Sequence, residues 1–161
     1  MNTREKILPR DELRARVETH RAKSQRVVLA NGIFDVLHVG HVRYLEGAKR
    51  EGDILVVAVN CDASATRLKG PGRPVLGEQA RAQLVAALAA VDYVTIFEEP
   101  NVEPLLEALR PAVHAKGTDY TADTVPEREA ARRVGARVAI VGDAKQHSTT
   151  ELLQQVRRRN G

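Results

Sequence analysis

Short apolar segments alternate along this chain with longer segments of helical spacing. Residues 54–59 are apolar without interruption, so a strand formed there is apolar on both faces, as strands of parallel sheets tend to be. Strands are also predicted at 26–30, 93–97, 112–115 and 138–141, and helices at 11–23, 39–50, 78–90, 102–109 and 149–158, with a helix start at 124–127. This alternation predicts an α/β fold: a five-stranded parallel sheet flanked by helices on both faces.

The length and composition fit one domain over residues 1–161. The chain is 43% hydrophobic and 29% charged, the balance of a globular protein with room for one core. No apolar run is long enough to span a bilayer, and the start of the chain does not read as a secretory signal. The single cysteine, Cys61, can form neither an internal disulfide nor a multi-cysteine zinc site. We therefore expect a cytoplasmic protein without a membrane partner.

The charge balance argues against nucleic acid as a partner. The net charge is only +4, and aromatic residues make up 3%, which leaves few platforms on which bases could stack. The basic run 157–159 is typical of the solvated end of a helix. Anionic small molecules need only a local cluster of positive charge, so they remain candidate ligands.

Two histidines follow the first predicted strand, at the start of a helix. His38 and His41 are three residues apart, which places both rings on one helix face, beside free backbone N–H groups and the positive end of the helix dipole. Gly40 between them allows a ligand to approach the backbone. The segment therefore predicts a phosphate-binding site with two hydrogen-bond donors. The alternatives are incidental histidines or a zinc site, which would need a third ligand.

Ligands of parallel α/β sheets bind outside the carboxyl ends of the strands, so cations there are candidate ligands for anions. Arg67, Lys69 and Arg73 follow the second strand around a Gly/Pro-rich turn. We expect a mobile loop there that closes over an anionic substrate; the alternative is a solvated loop. Lys116 and Gly117 follow the fourth strand in the same way.

The last predicted helix opens with a capping box. Ser148 and Glu151 have the required spacing, and the cap alone would explain both residues. Ser148, Thr149 and the first amides of the helix are also predicted to bind a phosphate, because an anion can occupy a helix N-terminus beside a side-chain cap.

These motifs together resemble a known family. Residues 31–41 resemble the H-x-G-H signature of the cytidylyltransferase-like nucleotidyltransferases, and residues 148–150 resemble its C-terminal nucleotide motif. The chain is more specifically similar to the adenylyltransferase domain of bacterial ADP-heptose synthesis, over residues 5–158. The ordered matches are Asn60-Cys61-Asp62, Arg67-Leu68-Lys69-Gly70, Arg73-Pro74-Val75, Glu78 with Arg81, Val91-Asp92, and Lys116-Gly117-Thr118-Asp119-Tyr120. One departure is Gln146, where the family commonly has glycine, in a stretch that shapes the nucleotide pocket.

The resemblance implies a Rossmann-like domain that transfers AMP from ATP to D-glycero-D-manno-heptose 1-phosphate, giving ADP-heptose, a lipopolysaccharide precursor, and pyrophosphate. It implies a catalytic role for His38, His41 and Lys69. Implied nucleotide-binding residues are Asn31, Gly32, Phe34, Asp35, Gly40, Lys116, Gly117, Ser148, Thr149 and Thr150. Implied sugar-phosphate-binding residues are Asn60, Asp62, Arg67, Arg73 and Arg81.

The resemblance also implies partners. Mg²⁺ is expected with ATP as co-substrate and not in a protein metal site, although Asp35 either binds metal or orients a neighbour. A separate heptose kinase is expected upstream in the pathway, and a homodimer is expected. The alternative enzyme is a cytidylyltransferase acting on glycerol 3-phosphate or another alcohol phosphate. If the protein is not an enzyme, the alternative is a non-catalytic nucleotide-binding module.

Overall fold

A five-stranded, all-parallel sheet forms the centre of the molecule, as the sequence predicts. The computed structural model describes residues 1–144 and 148–161, so the departure at Gln146 lies outside the described residues. The strand order is β3-β2-β1-β4-β5. The strands are β1 (Val27–Gly32), β2 (Ile54–Asn60), β3 (Tyr93–Phe97), β4 (Val113–Lys116) and β5 (Arg137–Ile140).

Helices connect the strands and cover both faces of the sheet. They are α1 (Arg10–Ala22), α2 (Val39–Arg50), α3 (Asp62–Lys69), α4 (Glu78–Ala86), α5 (Glu103–Leu109), α6 (Arg128–Arg133) and α7 (Thr149–Asn160), with a 3₁₀ turn at Arg4–Lys6. None of the helices in the described residues combines the length and apolar character needed to cross a membrane.

The segment after β2 corrects the prediction of a mobile loop. Its first part is the helix α3, which begins after Cys61 and ends at Lys69. The Cys61 sulfur accepts a hydrogen bond from the Ser64 amide, and Gly70 stops the helix with φ of 93°. Only the turn that follows Lys69 is irregular, so Lys69 is held at a helix end.

The helix predicted at 78–90 is shorter in the structure, where α4 ends at Ala86. Beyond it, the Leu88 and Val91 amides bond to carbonyls three residues earlier, so the chain continues as turns.

Alternate residues along the strands supply two separate cores. Val28 and Ala30 face α2 and α4, whereas Val27 and Leu29 face α1, α5 and α6. Every residue of β2 is buried, which explains its uninterrupted apolar sequence. The order of the strands reverses between β1 and β4, because β2 lies on one side of β1 and β4 on the other. A crevice at their carboxyl ends is where such sheets bind ligands.

Candidate functional site

A cleft of about 570 Å³ opens at the carboxyl ends of β1, β2 and β4, bordered by the first residues of α2 and α7. The structure brings most of the predicted site residues to it. Those that line it are Asn31, Gly32, Phe34, Asp35, His38, Gly40, His41, Asn60, Lys69, Arg73, Lys116, Gly117, Ser148, Thr149 and Thr150.

The backbone at the start of α2 sets the proton positions of the two histidines. The Nδ1 atom of His38 accepts a hydrogen bond from the Gly40 amide at 3.1 Å, and Nδ1 of His41 accepts from the His38 amide at 3.3 Å. A neutral imidazole that accepts at Nδ1 carries its proton on Nε2. The rings stack with centroids 4.0 Å apart, and both residues line the cleft.

The loop between β1 and α2 has an unusual backbone. Phe34 and Val36 have φ of 53° and 45°, and such a conformation costs a β-branched residue roughly 1–3 kcal/mol. The Thr149 hydroxyl donates to the carbonyl oxygens of Asp35, at 2.6 Å, and of Val36, at 3.2 Å. This loop therefore anchors the N-terminus of α7 beside the histidines.

Ser148 and Thr149 divide two tasks at that N-terminus. The Ser148 hydroxyl accepts from the Glu151 amide, and the Glu151 carboxylate accepts from the Ser148 amide, which confirms the predicted capping box. Because the Thr149 hydroxyl is committed to backbone carbonyls, the expectation that it holds a phosphate is revised: Thr149 anchors the helix, and its backbone amide remains at the positive helix end.

Asp35 orients neighbours. Its buried carboxylate accepts from the amides of Val75 and Leu76, at 2.8 and 3.0 Å, and from Nε of Arg73, at 3.0 Å. Burial on its own would raise the pKa of Asp35, but these hydrogen bonds and the Arg73 charge hold that pKa below its ordinary value. Of the two predicted roles, metal ligand or orienting group, the geometry favours the second.

Three predicted sugar-phosphate residues do not line the cleft. Arg81 is fully buried, and its guanidinium donates to the carbonyls of Ile33 and Leu76 and to the Asp62 carboxylate, at 2.6, 2.9 and 2.8 Å. Arg81 and Asp62 therefore connect the segments behind the cleft. Arg67 is exposed on α3, about 200° around the helix from Lys69, so the helix turns the two cations in different directions.

Lys116 lies at the end of β4 in a largely buried position. Its ammonium lies 3.6 Å from the carboxylate of Glu127 and 4.8 Å from the centroid of the Tyr120 ring. Burial lowers the pKa of Lys116, and the charge of Glu127 acts in the opposite direction. Sequence reasoning placed Glu127 at a helix start but gave it no role at the site, because nothing in the sequence distinguishes it from its acidic neighbours Asp123 and Glu129.

Sequence reasoning assigned no individual role to several cleft residues on α2 and in the segments after β4 and β5. Arg43 forms an ion pair of 3.4 Å with Asp143, and Thr118 donates to the Asp143 carbonyl at 2.9 Å. Tyr44 donates to the Ala115 carbonyl at 2.8 Å, and burial raises the pKa of its hydroxyl. The available signal was helical spacing, because 43 and 44 follow the second histidine within one turn.

The cleft lies where the strand order reverses, and the first residues of two helices, α2 and α7, line it. This is the place where parallel α/β domains bind ligands, and helix starts suit anionic groups. Comparison with known proteins agrees: residues 29–157 match the cytidylyltransferase-like family, and the chain belongs to that family.

The chain is similar in sequence to curated proteins and in fold to solved structures. The bifunctional protein HldE of Pelobacter propionicus is 47% identical over 94% of this chain, and that of Magnetococcus marinus is 50% identical over 84%. The chain spans about a third of the length of these relatives (31% and 28%). The lipopolysaccharide core biosynthesis protein from Thermoplasma volcanium has a TM-score of 0.64 at 26% identity, covering 75% of this chain and 99% of its own.

Proposed function

We propose that this chain is an adenylyltransferase that transfers AMP from ATP to D-glycero-D-manno-heptose 1-phosphate, giving ADP-heptose and pyrophosphate. The observation that carries nucleotidyl transfer is the pair of histidine rings whose Nδ1 atoms accept backbone N–H groups, in one cleft with Lys69 and Lys116. The heptose substrate is supported by the ordered motifs and by the similarity to HldE proteins.

The chemistry asks for positioning more than for a strong base. A phosphate oxygen of the sugar phosphate, already anionic at neutral pH, attacks the α-phosphorus of ATP, and the bond to the pyrophosphate group breaks. Unscreened like charges a few Å apart repel by several kcal/mol, so neutralising charge and aligning the two phosphates supply most of the catalysis.

Each wall of the cleft has a part in this reaction. The Nε2–H groups of His38 and His41 donate to ATP phosphate oxygens and stabilise charge at the α-phosphorus. Lys69 neutralises phosphate charge from the end of α3, and Arg73 is held by Asp35 on the same side. The first amides of α7, whose residues line the same cleft, bind the triphosphate.

Magnesium is proposed to enter with ATP. Within residues 1–144 and 148–161, no group of three or more His, Cys, Asp or Glu side chains could hold a metal, and the Asp35 carboxylate is already bonded. Mg²⁺ keeps several waters and binds phosphates readily, so the ATP phosphates can supply its remaining ligands. When bound, it would neutralise charge on the leaving pyrophosphate.

A cytidylyltransferase acting on glycerol 3-phosphate is the second candidate, favoured by the family that the sequence matches. The same histidine pair and the same helix N-terminus would serve that reaction. The two candidates differ in the base and in the acceptor, and both release pyrophosphate.

A pyrophosphate-release screen tests the proposal. ATP, CTP, GTP and UTP are each combined with heptose 1-phosphate in both anomeric forms, with glycerol 3-phosphate and with no acceptor. We expect release with ATP and one heptose anomer only. Turnover of CTP with glycerol 3-phosphate would favour the second candidate, and release without any acceptor would point to hydrolysis.

We infer further that a heptose kinase activity supplies the acceptor, that the reaction takes place in the cytoplasm, where ATP is available, and that the enzyme is a homodimer. Gel filtration with light scattering tests the last inference, and a mass of 17.7 kDa would contradict it.

A further inference from the structure

His114 is a fully buried polar side chain that the mechanism above does not use. It lies in β4, where the register pairs it with Leu29 of β1 and Val138 of β5. Its ring therefore stands on the face of the sheet that α1, α5 and α6 cover. Burying an imidazole there costs desolvation free energy, which a hydrogen bond to the ring can offset.

The proton of this ring is on a defined nitrogen. Nε2 lies 3.1 Å from Oδ1 of Asn31, whereas Nδ1 is buried without a hydrogen-bond partner among the described residues. Burial lowers the pKa of His114 to about 3, and the charge of Lys116 acts in the same direction, so the ring is neutral at pH 7 with one N–H. We place that N–H on Nε2, where Asn31 supplies an acceptor, because a proton on Nδ1 would be a buried donor without a partner among the described residues.

This bond decides which end of the Asn31 carboxamide serves the cleft. Because the oxygen of Asn31 accepts from His114, the amide nitrogen with its two N–H groups is what Asn31, which lines the cleft, offers to a ligand. Without the histidine, a carboxamide could turn by 180° and present its oxygen, which an anion would repel.

Lys116 stands beside Asn31. The parallel register pairs Ala30 with Ala115, so the next residues, Asn31 and Lys116, are neighbours at the carboxyl ends of β1 and β4 and face the same side. An amide NH₂ and an ammonium are both donors, and together they suit the oxygens of a phosphate.

We propose that His114 is a positioning residue, whose Nε2–H fixes the Asn31 carboxamide so that its amide donates to a substrate phosphate oxygen beside Lys116. The proposal rests on the proposed function, in which both substrates carry phosphate. The phosphate belongs either to ATP or to the sugar phosphate, and the test distinguishes the two.

Four variants test this coupling. His114→Met keeps the approximate size but has no donor, whereas the side-chain amide of His114→Gln can still donate to Asn31. Asn31→Ala removes the group acted upon, and the double variant His114→Met/Asn31→Ala closes a double-mutant cycle. For each protein, KM for ATP, KM for heptose 1-phosphate, kcat and the melting temperature are measured.

We expect His114→Met and Asn31→Ala each to raise one of the two KM values about tenfold, the range of a lost hydrogen bond to a charged group. The KM that rises identifies the source of the phosphate. The double variant should match Asn31→Ala within about twofold, and His114→Gln should restore most of the loss. An unchanged KM in His114→Met, or effects that multiply in the double variant, would overturn the proposal. A lower melting temperature with unchanged KM values would assign His114 a structural role only.

Failure of the proposed function is visible separately. If the wild-type protein releases no pyrophosphate from ATP and heptose 1-phosphate, the function is wrong, and the affinities for ATP and for heptose 1-phosphate by calorimetry then decide the inference. Unchanged affinity for both ligands in His114→Met and Asn31→Ala would overturn it, and a parallel loss of affinity for one ligand in both variants would support it.

Discussion

At the scale of single residues, each Nδ1 atom of the histidine pair is occupied by a backbone amide, which leaves Nε2 as the donor. His38 combines this with the N-cap of α2, so its ring stabilises the helix and presents a donor at the same time. A shorter side chain that still accepts a hydrogen bond at the N-cap, but does not reach the position of Nε2, would keep the capping role and remove the donor.

Asparagine at position 38 makes that separation. His38→Asn retains an N-cap acceptor and so should keep the melting temperature, but it has no group at the position of Nε2. We expect kcat to fall about 10²-fold or more, the scale of losing one preorganised donor, and the same for His41→Ala. Steady-state kinetics beside thermal melts measure both. His20→Ala is the control, because the ring of His20 bonds to Tyr93 at the start of β3. Near-normal kcat in folded His38→Asn would refute the donor role.

Asp35 should leave a signature in the pH dependence of stability. Its folded-state pKa lies below the unfolded value of about 3.8, so its stabilising contribution is fully present above that value and is lost as the pH falls through the lower folded pKa. Asp35→Asn should cost roughly 2–3 kcal/mol of unfolding free energy at pH 7, with the difference from wild type shrinking below about pH 4. Urea unfolding between pH 3 and 7 measures this. Exposed Asp123→Asn serves as the control, and a pH-independent difference would contradict the account.

At the scale of elements, the start of α7 depends on contacts of very different sequence separation. The capping box lies within four residues, whereas the Thr149 hydroxyl reaches carbonyls 114 and 113 residues earlier. The local contact lets the helix form, and the distant one holds its positive end in the cleft. Replacing the cap residue can therefore test phosphate binding without removing the helix.

Ser148→Asp and Ser148→Gly separate capping from binding. Aspartate keeps an N-cap acceptor and improves the interaction with the helix dipole, whereas glycine costs the cap only a few tenths of a kcal/mol. Both should melt near the wild-type temperature without ligand. If the start of α7 binds the triphosphate, Asp should weaken ATP binding far more than Gly, because it adds a negative charge there. Calorimetric ATP affinity beside the apo melting temperature decides, and wild-type affinity in the Asp variant would remove Ser148 from the site.

At the scale of the whole molecule, the cleft is held together by close backbone packing behind it. A side chain at Gly47 of α2 would come within 2.9 Å of the Gly142 amide nitrogen, and Gly142 itself lies against the backbone of Tyr44 with φ of 91°. The helix that bears the histidines therefore packs backbone to backbone against the segment after β5.

Gly47→Ala should destabilise the protein although alanine favours helices. Its helix propensity would contribute about 1 kcal/mol, but the forced displacement should cost about 1–3 kcal/mol and move α2. We expect a lower melting temperature together with weaker ATP binding, measured by thermal melts and calorimetry. Gly77→Ala is the control for adding a methyl group, because its Cβ would lie 3.8 Å from a carboxylate oxygen of Asp62. Unchanged stability and affinity in Gly47→Ala would show that the contact can relax.

The predicted strands and helices agree with the structure wherever the local pattern was strong. The strand at 93–97 and the helix at 39–50 have their predicted bounds, and the other strands differ by one or two residues at their ends. The missed helix α3 is short and only weakly amphipathic, with Ser64 and Ala65 as its buried residues, and the glycines after it favoured a loop. Its start depends on a cysteine cap, which is not among the usual capping residues.

The sequence by itself determined the sheet, its two covered faces, the histidine pair and the capping box. These features depend on side chains spaced two, three or four residues apart, which share one face of a strand or helix whatever the rest of the chain does. Only the tertiary structure decided that Arg81 is buried behind the cleft, that Asp35 holds a turn about 40 residues away, and that His114 faces Asn31 across 83 residues. Charged residues have the same appearance in a sequence whether they meet substrate or a backbone carbonyl. Which partner they find depends on the packing of distant elements, where unpaired polar groups are too costly to leave buried.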